Sequence, residues 1–473
     1  MKRSRLIVLI AALLLIRQAT AADAQARSAR ETETVALIKR CLPAVVAIRA
    51  YWPGEKPEIT NVDHGGGSVI HPNGFILTNH HVVKRAARIG VILADKRELQ
   101  ARVVARYPTE DMALLKVDAD KPFATLPLGH SDDLMLGEPV VVIGAPAGLE
   151  HTVSTGIISG LGRASVTQDS VLPWLVQTDA AVSGGSSGGP LINALGEQIG
   201  IVTSKNRDAE NINFAIAIDR VWTLFPKMVS AEQRNGFTLG CEVEQSPAKI
   251  KRIAEKSPAA LAGLLVGDVI RKLNDVEIRH VIDMQLALLE RNPGDTLAVE
   301  AVRGDQPVNV SVTLAEIPLP EPIADTGMTA GLKLSLYQGT FEKLPDFAQL
   351  KPHVEHPIPR VTLDTVQGSK DDFALRFAGF IKAPADGLYT FFAQSDDGSR
   401  VTVAGQLVVD NDGLHGPFEA SGIIRLKAGL HPILVEYFER NGDESLRLSW
   451  EGPELPKQEV PATAFFMPAD GSR

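Results

Sequence analysis

Residues 184–191, Gly184-Gly185-Ser186-Ser187-Gly188-Gly189-Pro190-Leu191, place serine hydroxyls in a glycine-rich turn just before an apolar run. A hydroxyl is a weak nucleophile at neutral pH and needs a base within hydrogen-bond reach. Upstream, Thr78-Asn79-His80-His81-Val82-Val83 follows the strand-like run Phe75-Ile76-Leu77. An imidazole titrates near neutrality, as such a base must. Between the two, Glu110-Asp111-Met112-Ala113-Leu114-Leu115 offers a carboxylate at the start of another apolar run. A carboxylate behind an imidazole fixes its tautomer and stabilises the imidazolium as it forms. The glycines let the chain turn so that backbone amides face a developing oxyanion. Taken singly, the segments read as a structural histidine, a surface turn and a flexible connection. In the order His, Asp, Ser, each beside a strand-like run, they point to serine-based acyl transfer.

From Ala44 to about Arg220 the chain is a series of short β-rich runs punctuated by glycine, such as Ala113–Val117 and Val140–Ile143. That pattern predicts a barrel or sandwich. The three segments resemble the HtrA (Deg) family of trypsin-fold proteases, in which Thr-Asn-x-His-Val-Val carries the base and Gly-x-Ser-Gly-Gly-Pro the nucleophile. The likeness covers roughly residues 35–225 and extends to Val142-Ile143-Gly144-Ala145-Pro146-Ala147-Gly148, Thr178-Asp179-Ala180-Ala181 and Asn213-Phe214-Ala215-Ile216. The family frame selects His81 over His80 and Ser187 over Ser186, with Asp111 behind the histidine. It implies an oxyanion hole from the amides of Gly185 and Ser187. It also implies a specificity pocket at Ala181 and Phe214, and an alanine floor suits small or medium aliphatic side chains rather than Arg or Lys. In one respect the chain departs from the family: Ser183-Gly184-Gly185-Ser186 stands where Asn-Pro-Gly-Asn is usual. Losing that proline leaves more conformations to freeze, so the resting loop is expected to be only partly preorganised.

Further along, Ser257-Pro258-Ala259-Ala260-Leu261-Ala262-Gly263 and Val266-Gly267-Asp268-Val269-Ile270 resemble the core of a PDZ domain, with Phe237-Thr238-Leu239-Gly240 as its carboxylate loop. Such a groove adds a peptide strand to a sheet edge and captures its terminal carboxylate on backbone amides. Leu239 and Gly240 are the expected peptide contacts, and a helix over residues 281–290 is the expected second wall. Apolar residues on that helix serve equally as plain core. The proline-spaced run Ile317–Pro322 reads as an extended linker.

Beyond Gly331, alternation resumes, with Phe373, Leu375 and Phe377 on one face of a predicted strand. Gly387-Leu388-Tyr389-Thr390-Phe391, Ser395-Asp396-Asp397-Gly398-Ser399 and Gly405-Gln406-Leu407-Val408-Val409-Asp410 resemble the protective-antigen-like β-domain, members of which often bind glycans. Some glycan-binding relatives hold calcium on an aspartate pair, and calcium takes six to eight oxygen ligands. Asp396 and Asp397 are therefore either calcium ligands or polar turn residues.

The expected architecture is mainly β. It runs as a signal peptide (1–24), a trypsin-like double β-barrel protease (25–230), an α+β PDZ domain (231–316), a Pro-rich linker (317–330) and a C-terminal β-sandwich of protective-antigen type (331–473). Lys2, Arg3 and Arg5 before the apolar run Leu6–Ile16 give the signal-peptide layout, with an uncleaved anchor as the alternative. Export to the periplasm or cell envelope follows from that layout. A net charge of −9 without a basic block argues against nucleic-acid binding. Cys41 and Cys241 fall in different predicted domains and are expected as buried free thiols. The family resemblance implies unfolded or peptide substrates, PDZ-bound C-terminal peptides, a homotrimer or larger assembly, and no cofactor for catalysis. A glycan-anchored PDZ scaffold with a dormant protease fold is the competing reading.

Overall fold

A computed structural model describes residues 30–53, 60–145, 151–166, 171–205, 211–364 and 371–469. The predicted signal peptide and Pro146–Gly148 lie outside the described residues. The first helix, α1 (Glu33–Cys41), starts where the Thr32 hydroxyl accepts from the Val35 amide. That cap satisfies a donor the helix cannot use itself and fixes where the helix begins. Pro43 then turns the chain through a 3-10 turn, Leu42–Ala44.

Two closed barrels follow. The first holds β1 (Val45–Pro53), β2 (Thr60–His71), β3 (Phe75–Thr78), β4 (Arg88–Ile92), β5 (Glu98–Tyr107) and β6 (Met112–Val117), with the short helix α2 (His80–Val83) after β3. The second holds β7 (Pro139–Gly144), β8 (Thr152–Val166), β9 (Val171–Thr178), β10 (Pro190–Asn193), β11 (Gln198–Lys205) and β12 (Asn213–Ala217). β3 and β6 are buried along their whole lengths, which is why they read as continuous apolar runs rather than alternating ones. Helix α3 (Ile218–Val229) leaves the second barrel, and the five-residue α4 (Ala231–Asn235) follows it.

The PDZ-like region contains β13 (Phe237–Thr238), β14 (Cys241–Val243), β15 (Ile250–Ile253), α5 (Pro258–Leu261), β16 (Val269–Leu273), β17 (Val276–Glu277), α6 (Val281–Leu288), β18 (Thr296–Arg303), β19 (Gln306–Thr313) and β20 (Ala315–Glu316). Its core does not break at residue 230. One apolar cluster runs from Phe75, Leu114 and Ile201 between the barrels, through Trp222 and Phe225 of α3, to Ile270 and Leu286. Burying a side chain such as Phe225 stabilises by roughly 1.5–3 kcal/mol, so this junction is a packed joint rather than a hinge. Cys41 is buried and Cys241 only half-buried, and both are free thiols.

The C-terminal unit is a sandwich of an eight-stranded and a four-stranded sheet. Its strands are β21 (Met328–Ala330), β22 (Leu332–Gln338), β23 (Val354–Ile358), β24 (Phe373–Ala383), which is the predicted strand at Phe373, β25 (Gly387–Asp396), β26 (Ser399–Val403), β27 (Gln406–Asn411), β28 (Phe418–Leu426), β29 (Gly429–Glu439), β30 (Ser445–Gly452), β31 (Leu455–Glu459) and β32 (Phe465–Pro468). Phe373, Leu375 and Phe377 face the sandwich core as the alternation predicts. The opposite face is not solvated, however. Ala374 is buried under Tyr337, Leu344 and Phe347, because the segment before β24 folds back over the sheet.

Candidate active site

Pairing of β3 with β6, in which Thr78 faces Ala113, brings the histidine and aspartate segments side by side. A 3-10 turn, Pro108–Glu110, leads into β6 and ends on Asp111 in the left-handed region (φ 51°, ψ 41°). Asp is among the few non-glycine residues that tolerate this conformation. Around it the backbone is over-determined: the Asp111 carbonyl accepts from the His80 amide at 3.1 Å and from Asn79 Nδ2 at 2.9 Å. Arg220 of α3 pairs with Glu110, its Nε lying 3.1 Å from Oε2, and so braces the turn from the far side.

The Asp111 carboxylate accepts from the His81 amide (2.8 Å), from His81 Nδ1 (2.7 Å) and from Thr203 Oγ1 (2.8 Å). Burial pushes its carboxyl up, but the charge of His81 and these hydrogen bonds outweigh that and hold it below the usual range. Asp111 is therefore an ionised acceptor that holds the His81 proton on Nδ1 and makes Nε2 the basic nitrogen. His80 is different. Burial pushes its imidazole down to about 3 and its Nδ1 has no hydrogen-bond partner among the described residues, so it is a neutral packed ring.

The serine loop belongs to the second barrel but is tied to the first, since the Gly66 amide of β2 donates to the Ser187 carbonyl at 2.7 Å. Ser186 is buried and Ser187 half-buried. Gly185 adopts φ 98°, a conformation closed to most residues, and among the described residues the amides of Gly185 and Ser187 have no acceptor. They are free to hold an oxyanion. The Ser187 hydroxyl donates to the Thr203 carbonyl at 3.0 Å, so its single proton is not directed at His81. Thr203 thus touches the aspartate through its side chain and the serine through its backbone. The sequence reading did not single it out. Its only local signal is a threonine that interrupts the buried run Ile201-Val202 sixteen residues after Ser187.

Ala181 is exposed, and its carbonyl accepts from Ser154 Oγ at 2.7 Å. Phe214 is half-buried on β12, beside Asn213, whose Nδ2 donates to the Ala180 carbonyl at 2.9 Å. That bond ties the two expected pocket segments together. In the PDZ-like region Leu239 is fully buried and Gly240 has φ 78°. The Leu239 amide already donates to Glu232 Oε1 at 2.8 Å.

Asp396 and Asp397 are buried at the end of β25, and carboxylate oxygens of Asp396, Asp397 and Glu439 lie within 4.8 Å of one another. Asp397 accepts from the amides of His415 (3.0 Å) and Arg440 (3.1 Å). Glu439, at the end of β29, accepts through Oε2 from Tyr437 and from the Asp397 amide, while its buried Oε1 has no partner among the described residues. Burial and the neighbouring aspartate push Asp396 up to about 6; burial, with the same two aspartates, pushes Glu439 up to about 7. Glu439 was missed in the sequence because nothing local sets it apart from a surface glutamate.

Residues 65–201 match the family described as a trypsin-like peptidase domain, 229–314 a PDZ domain and 360–464 a PA14 domain. A periplasmic serine endoprotease described as DegP-like, from Pseudomonas fluorescens, is 35% identical over 271 residues, covering 54% of this chain and 56% of that protein. The chain thus spans little more than half the length of that curated relative. The chloroplastic protease Do-like 1 of Arabidopsis thaliana is 33% identical over 319 residues, covering 61% of this chain and 73% of that protein. Among solved structures, the serine endoprotease from Yersinia pestis is 32% identical, covering 60% of this chain and 97% of its own, at a TM-score of 0.36.

Proposed function

This chain belongs to the HtrA (Deg) family of trypsin-like serine proteases, and from that premise we propose that it is an endopeptidase of the cell envelope that cleaves unfolded or mislocalised proteins. The observation that carries the reading is the 2.7 Å contact between His81 Nδ1 and a buried, ionised Asp111. In the proposed reaction the Ser187 hydroxyl turns from the Thr203 carbonyl to His81 and attacks the scissile carbonyl. His81 Nε2 takes its proton, and Asp111 stabilises the imidazolium. The amides of Gly185 and Ser187 hold the oxyanion, where each such donor is worth about 2.7–4 kcal/mol of barrier. His81 then protonates the leaving amine, and water, deprotonated by the same histidine, releases the acyl group. Ala181 and Phe214 are proposed to line the pocket for small or medium aliphatic side chains.

The same reading gives the PDZ domain peptide C-termini as ligands at Leu239 and Gly240, and the assembled protein a trimeric or larger form. It is supported for export by the periplasmic relative. The C-terminal domain is proposed to bind a glycan, with Asp396, Asp397 and Glu439 as the residues that would hold calcium. Their fit to a cation rests on the unpartnered, buried Glu439 Oε1. Calcium there would supply positive charge to three crowded carboxylates.

Casein degradation by the parent chain and by Ser187→Ala tests the catalytic reading. The variant should retain at most about 1% of the activity, because losing a triad member costs several orders of magnitude. Equal rates would favour the glycan-anchored PDZ scaffold with a dormant protease fold.

A further inference from the structure

Helix α4 lies between the protease and the PDZ loop, and its residue Glu232 points into that loop. Glu232 Oε1 accepts from the Leu239 amide at 2.8 Å, and the Gly240 amide and Thr238 Oγ1 also hydrogen-bond the carboxylate. These are the amides that a PDZ loop offers to the terminal carboxylate of a peptide. The neighbouring strand β14 is built for such a guest, since among the described residues it pairs only with β15 and leaves its other edge open. Helix α4 also closes the end of the groove. Asn235 Nδ2 donates to the carbonyls of Leu289 (2.8 Å) and Arg291 (2.9 Å), just past the end of α6, and the Ala231 amide donates to Gln285 Oε1 at 3.2 Å.

We propose that Glu232 is an internal stand-in for the peptide carboxylate, so that α4 plugs the PDZ groove and an incoming C-terminal peptide must displace it. The proposal rests on the reading of Leu239 and Gly240 as the peptide loop. Two carboxylates do not share the same pair of amides, and their like charges repel at that separation. Burial pushes the Glu232 carboxyl up despite the amides, so the plug holds a carboxylate that water would take back readily. The C-terminal domain presses on the plug from outside. A side chain at Gly236, the residue closing α4, would overlap the Arg425 guanidinium of β28. Displacing α4 therefore disturbs the protease, the PDZ loop and the C-terminal sandwich together.

The test uses the full chain carrying Ser187→Ala, so that the probes survive. The probes are fluorescein-labelled decapeptides ending in Val, Ile, Leu, Phe or Ala with a free α-carboxylate, and the same peptides amidated. Adding Glu232→Ala should tighten binding of the acid peptides by about tenfold or more, the scale of a charge-assisted hydrogen bond, and leave the amides unbound. Glu232→Gln, equal in shape but uncharged, should fall between and guards against a loosened α4. If the acid peptides bind with equal affinity with and without Glu232, the plug is wrong and the groove stands. If neither acid nor amide peptides bind any of the three proteins, the loop assignment itself fails.

Discussion

Asp111, just before β6, and Glu439, at the end of β29, are both buried carboxylates, yet their surroundings drive them in opposite directions. Asp111 receives an amide, an imidazole and a hydroxyl, and its carboxyl sits below the usual range. Glu439 receives a phenol and one amide, leaves Oε1 bare and faces two aspartates, and its carboxyl rises to about 7. Burial is common to both. What differs is whether donors or other carboxylates fill the space, and that difference separates a finished anion from a crowded set of carboxylates.

The largest effect should come from unmaking the finished anion. Asp111→Asn replaces an acceptor facing His81 and Thr203 with an amide that also donates, which favours the wrong imidazole tautomer. A loss of roughly 10⁴ in kcat is expected, with the melting temperature little changed. Steady-state cleavage of a fluorogenic peptide reads it, and a loss below tenfold would place the base elsewhere. Thr203→Val should act more mildly. It removes one hydrogen bond to the carboxylate and keeps the backbone carbonyl that holds Ser187, so kcat should fall about 10–100-fold. If Thr203 acts by positioning Asp111, Thr203→Ser should restore the rate; no rescue would mean that packing rather than the bond is responsible.

The histidine, aspartate and serine segments that the structure brings together were legible in the sequence because each is local. Glycines, His81 and Ser187 advertise themselves within a few residues, and the continuous apolar runs of β3 and β6 place them. The second contributors are not local. Thr203 meets Asp111 across 92 positions, and Glu439 meets Asp397 across 42. Each is a common residue on a regular strand until pairing sets it opposite a functional group. Glu232 is only 7 residues from Leu239, but its meaning depends on α4 folding back, and five residues at a domain boundary carry no periodic signal. The covered outer face of β24 escaped for the same reason: alternation describes one strand, whereas burial of Ala374 comes from a segment laid across it.

The smallest expected effect carries the sharpest sign. Asp111 titrates lower in the folded chain than in the unfolded one. Its stabilising contribution is therefore present above the ordinary carboxylate pKa and fades as pH falls through the folded value. Glu439 and Asp396 titrate higher when folded, at about 7 and about 6. Their contribution is full below the unfolded pKa of about 4 and is lost as pH rises through 6 to 7, because the unfolded chain gives up those protons first. On the calcium reading the ion takes the ionised cluster, so it should raise the melting temperature of the C-terminal domain at pH 7.5 and do little at pH 5. At a hundred times its Kd a ligand adds about 2.7 kcal/mol, or several degrees for a domain of this size. Glu439→Gln should flatten both the pH dependence and the calcium response, since it removes one repelling charge and one ligand oxygen together. Scanning calorimetry of the full chain at the two pH values, with calcium or chelator, resolves the two carboxylate sites in one series. A C-terminal transition indifferent to calcium at pH 7.5 would leave the cluster as a buried polar turn and erase the contrast with Asp111.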